Sequence, residues 1–159
     1  MHFICDFAQK AVAEVCSTMF TLEAKTVHSG EGIENACGQF SGVVGSVSFA
    51  GKISGVVYIG LSDNLACSLA HRLLGERPTA ANTPEVADLV GEIANMVSGD
   101  MKRRTAEIGY NGLLAPPVVM HGSKIVVEPR QAHIAAFNRF RISELNEEFS
   151  VQVFAKLDA

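Results

Sequence analysis

From Gln39 to Leu61 the chain is rich in Val, Ile, Phe and Gly, and it is broken in the middle by Ala50-Gly51-Lys52. Two β-favouring runs joined by a short glycine-containing turn predict an antiparallel hairpin. This limits the fold more than any other stretch, because a doubly wound sheet needs a helix between successive strands. The glycines at 42, 45, 55 and 60 lower strand propensity but permit close packing of a helix or another backbone across the sheet, and that structural role is assigned to them.

The flanking segments complete an α+β pattern. Asp6 and Gln9 have the spacing of a capping box, and Phe7, Ala11, Val15 and Met19 recur near helical spacing, so a first helix is predicted over Phe7 to Phe20. Leu22 to His28 reads as a short strand or irregular link that ends in a turn at Ser29-Gly30-Glu31-Gly32. Ser62 or Asp63 caps a second helix in which Leu65, Leu69 and Leu73 recur every fourth residue, with Gly75 at its end. After a polar linker from Glu76 to Asn82, Thr83-Pro84 supplies an N-cap and a proline at the first helical position for a third helix. Pro116-Pro117 stops the chain, and strands are predicted at Val118 to Met120, Lys124 to Glu128, Ala132 to Phe137 and Phe149 to Lys156. Helices and strands therefore come in blocks, predicting an α+β fold with a largely antiparallel sheet over a doubly wound one. Two blocks of helix followed by a strand pair hint at an internal duplication.

At 159 residues the chain fits a single domain spanning 1–159. Apolar residues make up 48% and charged residues 19%, with no run of eighteen apolar residues, which argues against both disorder and a membrane span. A net charge of −4 lacks the basic footprint that a phosphate backbone requires, so nucleic acid is not an expected partner. Lys102-Arg103-Arg104 is the one compact cationic cluster, placed where a helix dipole favours cations. The first residues show no secretion signal, so the expected compartment is the cytoplasm. Cys5, Cys16, Cys37 and Cys67 are scattered without a CxxC, as small hydrophobes in a reducing cell would be. Cys67 and His71 stand four apart on the second helix, but two positions do not make a metal site, and His28, His121 and His133 have no catalytic spacing.

The third helix carries the chemistry. Rotating positions by about 100° per residue places Val86, Val90, Ile93 and Val97 on one arc, the buried face. Asp88, Glu92, Asn95 and Gly99 fall on the opposite side, with Glu92 and Asn95 neighbours at i, i+3. Gly99 costs roughly 1 kcal/mol against alanine in a helix interior, and beside this pair it would let a partner's backbone come close. By spacing alone the pair also fits an ordinary solvated helix face.

The string from Asp88 to Lys102, with Gly91-Glu92-Ile93-Ala94-Asn95 at its centre, resembles the Glu-x-x-Asn helix of the CheC, CheX and FliY family of chemotaxis phosphatases. The likeness extends to Ala13-Glu14-Val15-Cys16-Ser17-Thr18-Met19, Gly42-Val43-Val44-Gly45, Leu73-Leu74-Gly75-Glu76, and Leu114-Ala115-Pro116-Pro117-Val118-Val119 followed by Gly122. CheC-like members carry two Glu-x-x-Asn helices, whereas the first helix here has Ser17 where the asparagine would stand. A chain of this length with one site is similar to CheX-like members.

The resemblance implies a CheC-like fold with long helices packed on a largely antiparallel extended sheet, homodimers formed by exchange of sheet elements, and phosphorylated CheY-type response regulators as substrate. Asn95 would orient the attacking water and Glu92 would bind the regulator's active-site lysine, with Asp88, Gly99 and Lys102 as flanking partner contacts. An asparagine amide cannot act as a base near neutral pH, but it can accept and donate at once and so position a water. No cofactor is then expected on this chain, because the Mg²⁺ would sit in the partner receiver domain. The rival reading is a non-catalytic module that binds or scaffolds receivers.

Overall fold

The structure, a computed structural model, describes residues 3–32 and 38–158. Helix α1 (Phe3–Phe20) leads to strand β1 (Lys25–Glu31), the hairpin β2 (Gln39–Gly51) and β3 (Ile53–Leu61), and helices α2 (Asp63–Leu74) and α3 (Pro84–Glu107). A three-residue strand β4 (Gly112–Leu114) follows, then β5 (Val118–Val126), β6 (Ile134–Ile142) and β7 (Glu147–Leu157). All strand pairs are antiparallel, in the order β1-β6-β7-β3-β2, with β4 and β5 both paired to β2. The α+β, largely antiparallel architecture expected from the sequence is the one observed.

The sheet order has an internal symmetry. Exchanging β1 with β5, β2 with β6 and β3 with β7 maps the order onto itself, and the same exchange relates α1 to α3 as the helix opening each half. Each outer strand pairs with the opposite half: β1 lies on β6, and β5 on β2. The two-block pattern of the sequence thus corresponds to two interlocked halves meeting at the β3–β7 pair.

The helices bury one face of this sheet. Val86, Val90, Ile93 and Val97 all lie in the core, as helical periodicity predicts, together with Val12, Val15, Val47, Val57, Ile59, Val151 and Val153. Gly45 sets how closely α3 approaches β2, since a Cβ at Gly45 would lie 2.9 Å from the Ala94 Cβ and 3.1 Å from the Val90 carbonyl oxygen. The other three hairpin glycines also serve packing. Gly42, at φ +118°, and Gly55 face carbonyl groups of neighbouring strands, and Gly60 lies under the Phe40 ring. On the helix-free face Phe40, Tyr58 and Phe154 form a ladder with ring centroids 5.9 and 6.1 Å apart.

The start of α3 matches its sequence signals. Thr83 Oγ1 accepts from the Val86 N–H at 3.4 Å, and Pro84 occupies the first turn. Helix α2 is capped by Ser62, whose Oγ accepts from the Leu65 N–H at 3.0 Å, and it ends at Gly75 in the left-handed region. Leu73 departs from the predicted apolar stripe and is 47% exposed.

Several boundaries differ from expectation. Helix α1 begins at Phe3, so Asp6 and Gln9 lie inside it instead of capping it. Asp6 pairs with Lys10 one turn on, and Gln9 donates to Asn138 Oδ1 on β6 at 3.0 Å. The Ser29-Gly30-Glu31 turn is strand, because β6 supplies a ladder partner and Gly30 makes room for the Phe137 ring. The two short strands expected after Pro117 are one, β5, running through Gly122 opposite Gly42. Strand β4 has no clear sequence signal and exists through pairing with Phe49 to Gly51. Cys5, Cys16 and Cys67 are buried free thiols, with burial pushing Cys16 up to about 11. Cys37 lies outside the described residues.

Candidate functional site on helix three

Helix α3 is held on three sides: its apolar stripe lies on β2, α1 packs along it, and β5 flanks it. Its remaining face is open. Asp88, Glu92 and Asn95 are exposed there and line a solvent-open depression of about 430 Å³ with Ala87 and Gly91 of the same helix and Pro117 and Val119 at the start of β5. One wall is therefore polar and anionic, and the facing wall is apolar.

None of these three polar side chains makes a hydrogen bond or ion pair within the described residues. The C-terminal half of the same helix behaves differently. Asp100 accepts from Arg104 Nε at 2.7 Å and from Arg103 Nη2 at 2.6 Å, and Arg103 also reaches Glu107 at 3.5 Å. Burial works against the Asp100 charge, but these guanidinium hydrogen bonds outweigh it and hold the carboxyl below its usual range. The cationic cluster is thus largely spent inside the helix, while the carboxylates of Asp88 and Glu92 remain uncompensated.

The sequence-predicted partner contacts separate in space. Asp88 joins Glu92 and Asn95 in the depression, but Gly99 and Lys102 do not line it. Gly99 is half-buried, and a Cβ there would meet nothing within 4 Å, so no intramolecular contact requires a glycine. Lys102 is exposed at the rim of a different, mostly apolar cavity lined by Phe3, Phe49, Met101, Tyr110 and Leu114. A helical stripe keeps an angle but not a neighbourhood, and two turns beyond Asn95 the β5 wall has been left behind. Gly91, Pro117 and Val119 are the lining residues that helical periodicity missed, two of them because they lie off the helix, Pro117 just before β5 and Val119 within it.

Chemically the depression offers an amide that donates and accepts, two free carboxylates and an apolar wall. Among the described residues no three His, Cys, Asp or Glu side chains are placed to hold a metal, and Cys67 is buried while His71 is exposed. His121 contacts Asp63 at 3.1 Å, away from the depression.

Helices packed on a continuous, largely antiparallel sheet form the α+β architecture seen in CheC-like structures. The chain belongs to the chemotaxis phosphatase CheX family, whose model, described as "Chemotaxis phosphatase CheX", matches residues 43–140. Among solved structures it is similar to the chemotaxis protein CheX of Vibrio vulnificus, with 27% identity and a TM-score of 0.84 over 95% of this chain and 97% of that one. A chemotactic CheC-like protein of Shewanella oneidensis MR-1 is 26% identical, with a TM-score of 0.79 over 95% of this chain and 96% of that one. CheX of Borrelia burgdorferi, solved in complex with CheY, BeF3 and Mg²⁺, shares the fold at 18% identity, with a TM-score of 0.77 over 95% and 96% of the two chains. No curated protein matches the chain by sequence.

Proposed function

We propose that this chain accelerates hydrolysis of the aspartyl phosphate of a CheY-type response regulator, with Asn95 placing the attacking water and Glu92 binding the regulator's active-site lysine. The observation that carries the reading is that Glu92 and Asn95 stand side by side on a rigidly seated helix with no partner among the described residues. Family membership and the CheY-bound Borrelia relative support the choice of substrate.

In the reaction, water attacks phosphorus and the bond from phosphorus to the aspartyl oxygen breaks, releasing inorganic phosphate and restoring the carboxylate. The Asn95 carbonyl oxygen accepts from the water while its NH2 donates to a phosphoryl oxygen, directing a lone pair along the line of attack. Its contribution is placement, not proton abstraction. Glu92 and Asp88 offer negative charge to a cation beside the phosphoaspartate, fixing the register of the helix. This chain supplies no cofactor: Mg²⁺ belongs to the receiver and neutralises phosphoryl charge there.

The test is single-turnover dephosphorylation of a phosphorylated CheY, together with its affinity for the chain. Asn95→Ala is expected to lower the rate at least a hundredfold and leave affinity within about threefold. Glu92→Ala is expected to weaken binding by roughly tenfold or more and slow hydrolysis with it. A protein that binds the phosphorylated receiver without shortening its phosphate lifetime would be a scaffold instead.

We also propose a cytoplasmic homodimer formed through sheet edges, supported by the exposed Val27 on β1 and Val118 and Val126 on β5. Light scattering that returned the mass of one chain at working concentration would remove the dimer. No helix among the described residues is long and apolar enough to cross a membrane.

A further inference from the structure

Two voids that reach the core differ in kind. One, of about 20 Å³, is lined by apolar side chains alone, Val12, Ile59 and Val97 among them, and is an ordinary packing defect. The other, of about 70 Å³, lies where the start of α1, the end of α3, β4 and the sheet meet. Its floor is formed by Ile53, Val57, Met101 and Val153, all buried, whereas Lys102, Thr105 and Asn111 line its mouth, with Lys102 and Asn111 exposed. An apolar void of this size stays dry and deprives its walls of contacts, so filling it is favourable.

The mouth has donors to offer. Of the three consecutive cations at the end of α3, Arg103 and Arg104 are paired with Asp100, but Lys102 has no ion pair among the described residues. The Asn111 side chain has no hydrogen bond among them either. Thr105 is already engaged, its hydroxyl donating to the Lys102 carbonyl at 3.0 Å. An apolar chamber with unpaired donors at its opening is built to hold a small amphipathic anion, tail inward.

We infer that this cavity binds a short aliphatic carboxylate, its tail against Val57, Met101 and Val153 and its carboxylate accepting from Lys102 Nζ and Asn111 Nδ2. Volume sets the tail. A cavity of roughly 150 Å³ takes up benzene, so about half that volume takes about three carbons, the tail of butyrate. Charge sets the head, since a carboxylate answers the free ammonium, an amine is repelled by it and an alcohol leaves it unmet. With only about six non-hydrogen atoms in the ligand, the affinity is in the millimolar range. The site lies apart from Glu92 and Asn95 and does not depend on what they do.

The experiment follows the Met101 methyl resonance in protein carrying 13C-methyl methionine as acetate, butyrate, hexanoate or 1-butanol is added at constant ionic strength, with thermal melting alongside. Butyrate is expected to shift the resonance saturably and to bind at least about fivefold more tightly than the other three. Lys102→Gln, at an exposed position, should weaken butyrate about fivefold and leave the melting temperature unchanged. Val57→Ile combined with Val153→Ile places two methylenes on register partners of the floor. That variant should melt at or above the parent temperature and lose butyrate by about tenfold or more. If no carboxylate shifts the resonance saturably, or acetate binds as tightly as butyrate, the cavity is a packing void and the inference fails. Butanol binding as tightly as butyrate, or full affinity in Lys102→Gln, would overturn the assignment of a carboxylate. If the doubly filled variant unfolds, the ligand series and Lys102→Gln decide between them.

Discussion

Helices α1 and α3 open the two halves of one interlocked sheet, and each carries a glutamate on its outer face with a short polar residue three positions on. On α1 these are Glu14 and Ser17, and on α3 they are Glu92 and Asn95; all four are exposed. Three differences separate them. Serine offers one rotating hydroxyl where asparagine offers a planar amide that donates and accepts in fixed directions. Arg103 lies close enough to Glu14 to feel its charge, whereas Asp88 and Glu92 have no counter-ion among the described residues. Helix α3 borders the depression walled by Pro117 and Val119, with Gly91 buried beside them, while α1 has an exposed Ala13 at the place matching Gly91 and is tied to β6 through the Gln9–Asn138 bond. The same scaffold position therefore becomes a candidate site only where amide, free charge and clearance coincide.

The largest expected effect comes from erasing the difference on α3. Asn95→Ser makes the α3 pair match that of α1, and receiver dephosphorylation is expected to fall by about a hundredfold. Residue 95 is exposed, so stability should stay within about 0.5 kcal/mol by thermal melting. Parental activity in this variant would show that a hydroxyl suffices and that the comparison turns on charge or clearance. The converse change is expected to do almost nothing. Ser17→Asn in an Asn95→Ala background should leave hydrolysis at the receiver's own rate, since the amide on α1 would still lack the depression that flanks Asn95 on α3. Recovery of even a tenth of the parental rate would mean that the amide alone defines the site.

A smaller effect tests the paired half of α3 against its unpaired half. The Asp100 carboxyl titrates lower folded than unfolded, so its contribution is present above the ordinary carboxylate range and is lost as pH falls through the depressed folded value. Asp100→Asn is expected to lower the melting temperature by about 2–4 °C at pH 7. The gap should close as the solution is acidified toward pH 2. A gap that stayed constant with pH would assign the loss to packing instead of charge. Asp88→Asn, with no partner to lose, should not move the melting temperature by more than about 1 °C at either pH.

Much of this was legible in the residues. The hairpin at Gln39 to Leu61, the caps of α2 and α3 and the buried stripe Val86, Val90, Ile93, Val97 follow from local chemistry, and the structure has all of them. What failed was what depends on a distant partner. Ser29-Gly30-Glu31 has turn composition and is strand because β6 lies beside it, and β4 exists through three residues of β2. The site divides the same way. Helical rotation brought Asp88, Glu92 and Asn95 together, but it also gathered Gly99, which lies outside the depression, and it could not supply Pro117 and Val119 from beyond the helix.

The exchange of outer strands has a consequence for how the molecule is made. Among the described residues strand β1 pairs only with β6, so during synthesis it emerges early and has no ladder until most of the chain behind it has been translated. Such long-range pairing is slow and leaves an unpaired edge exposed in the meantime. The first strand to leave the ribosome is thus among the last to be satisfied, and the half that opens with α1 cannot finish folding before the half that opens with α3.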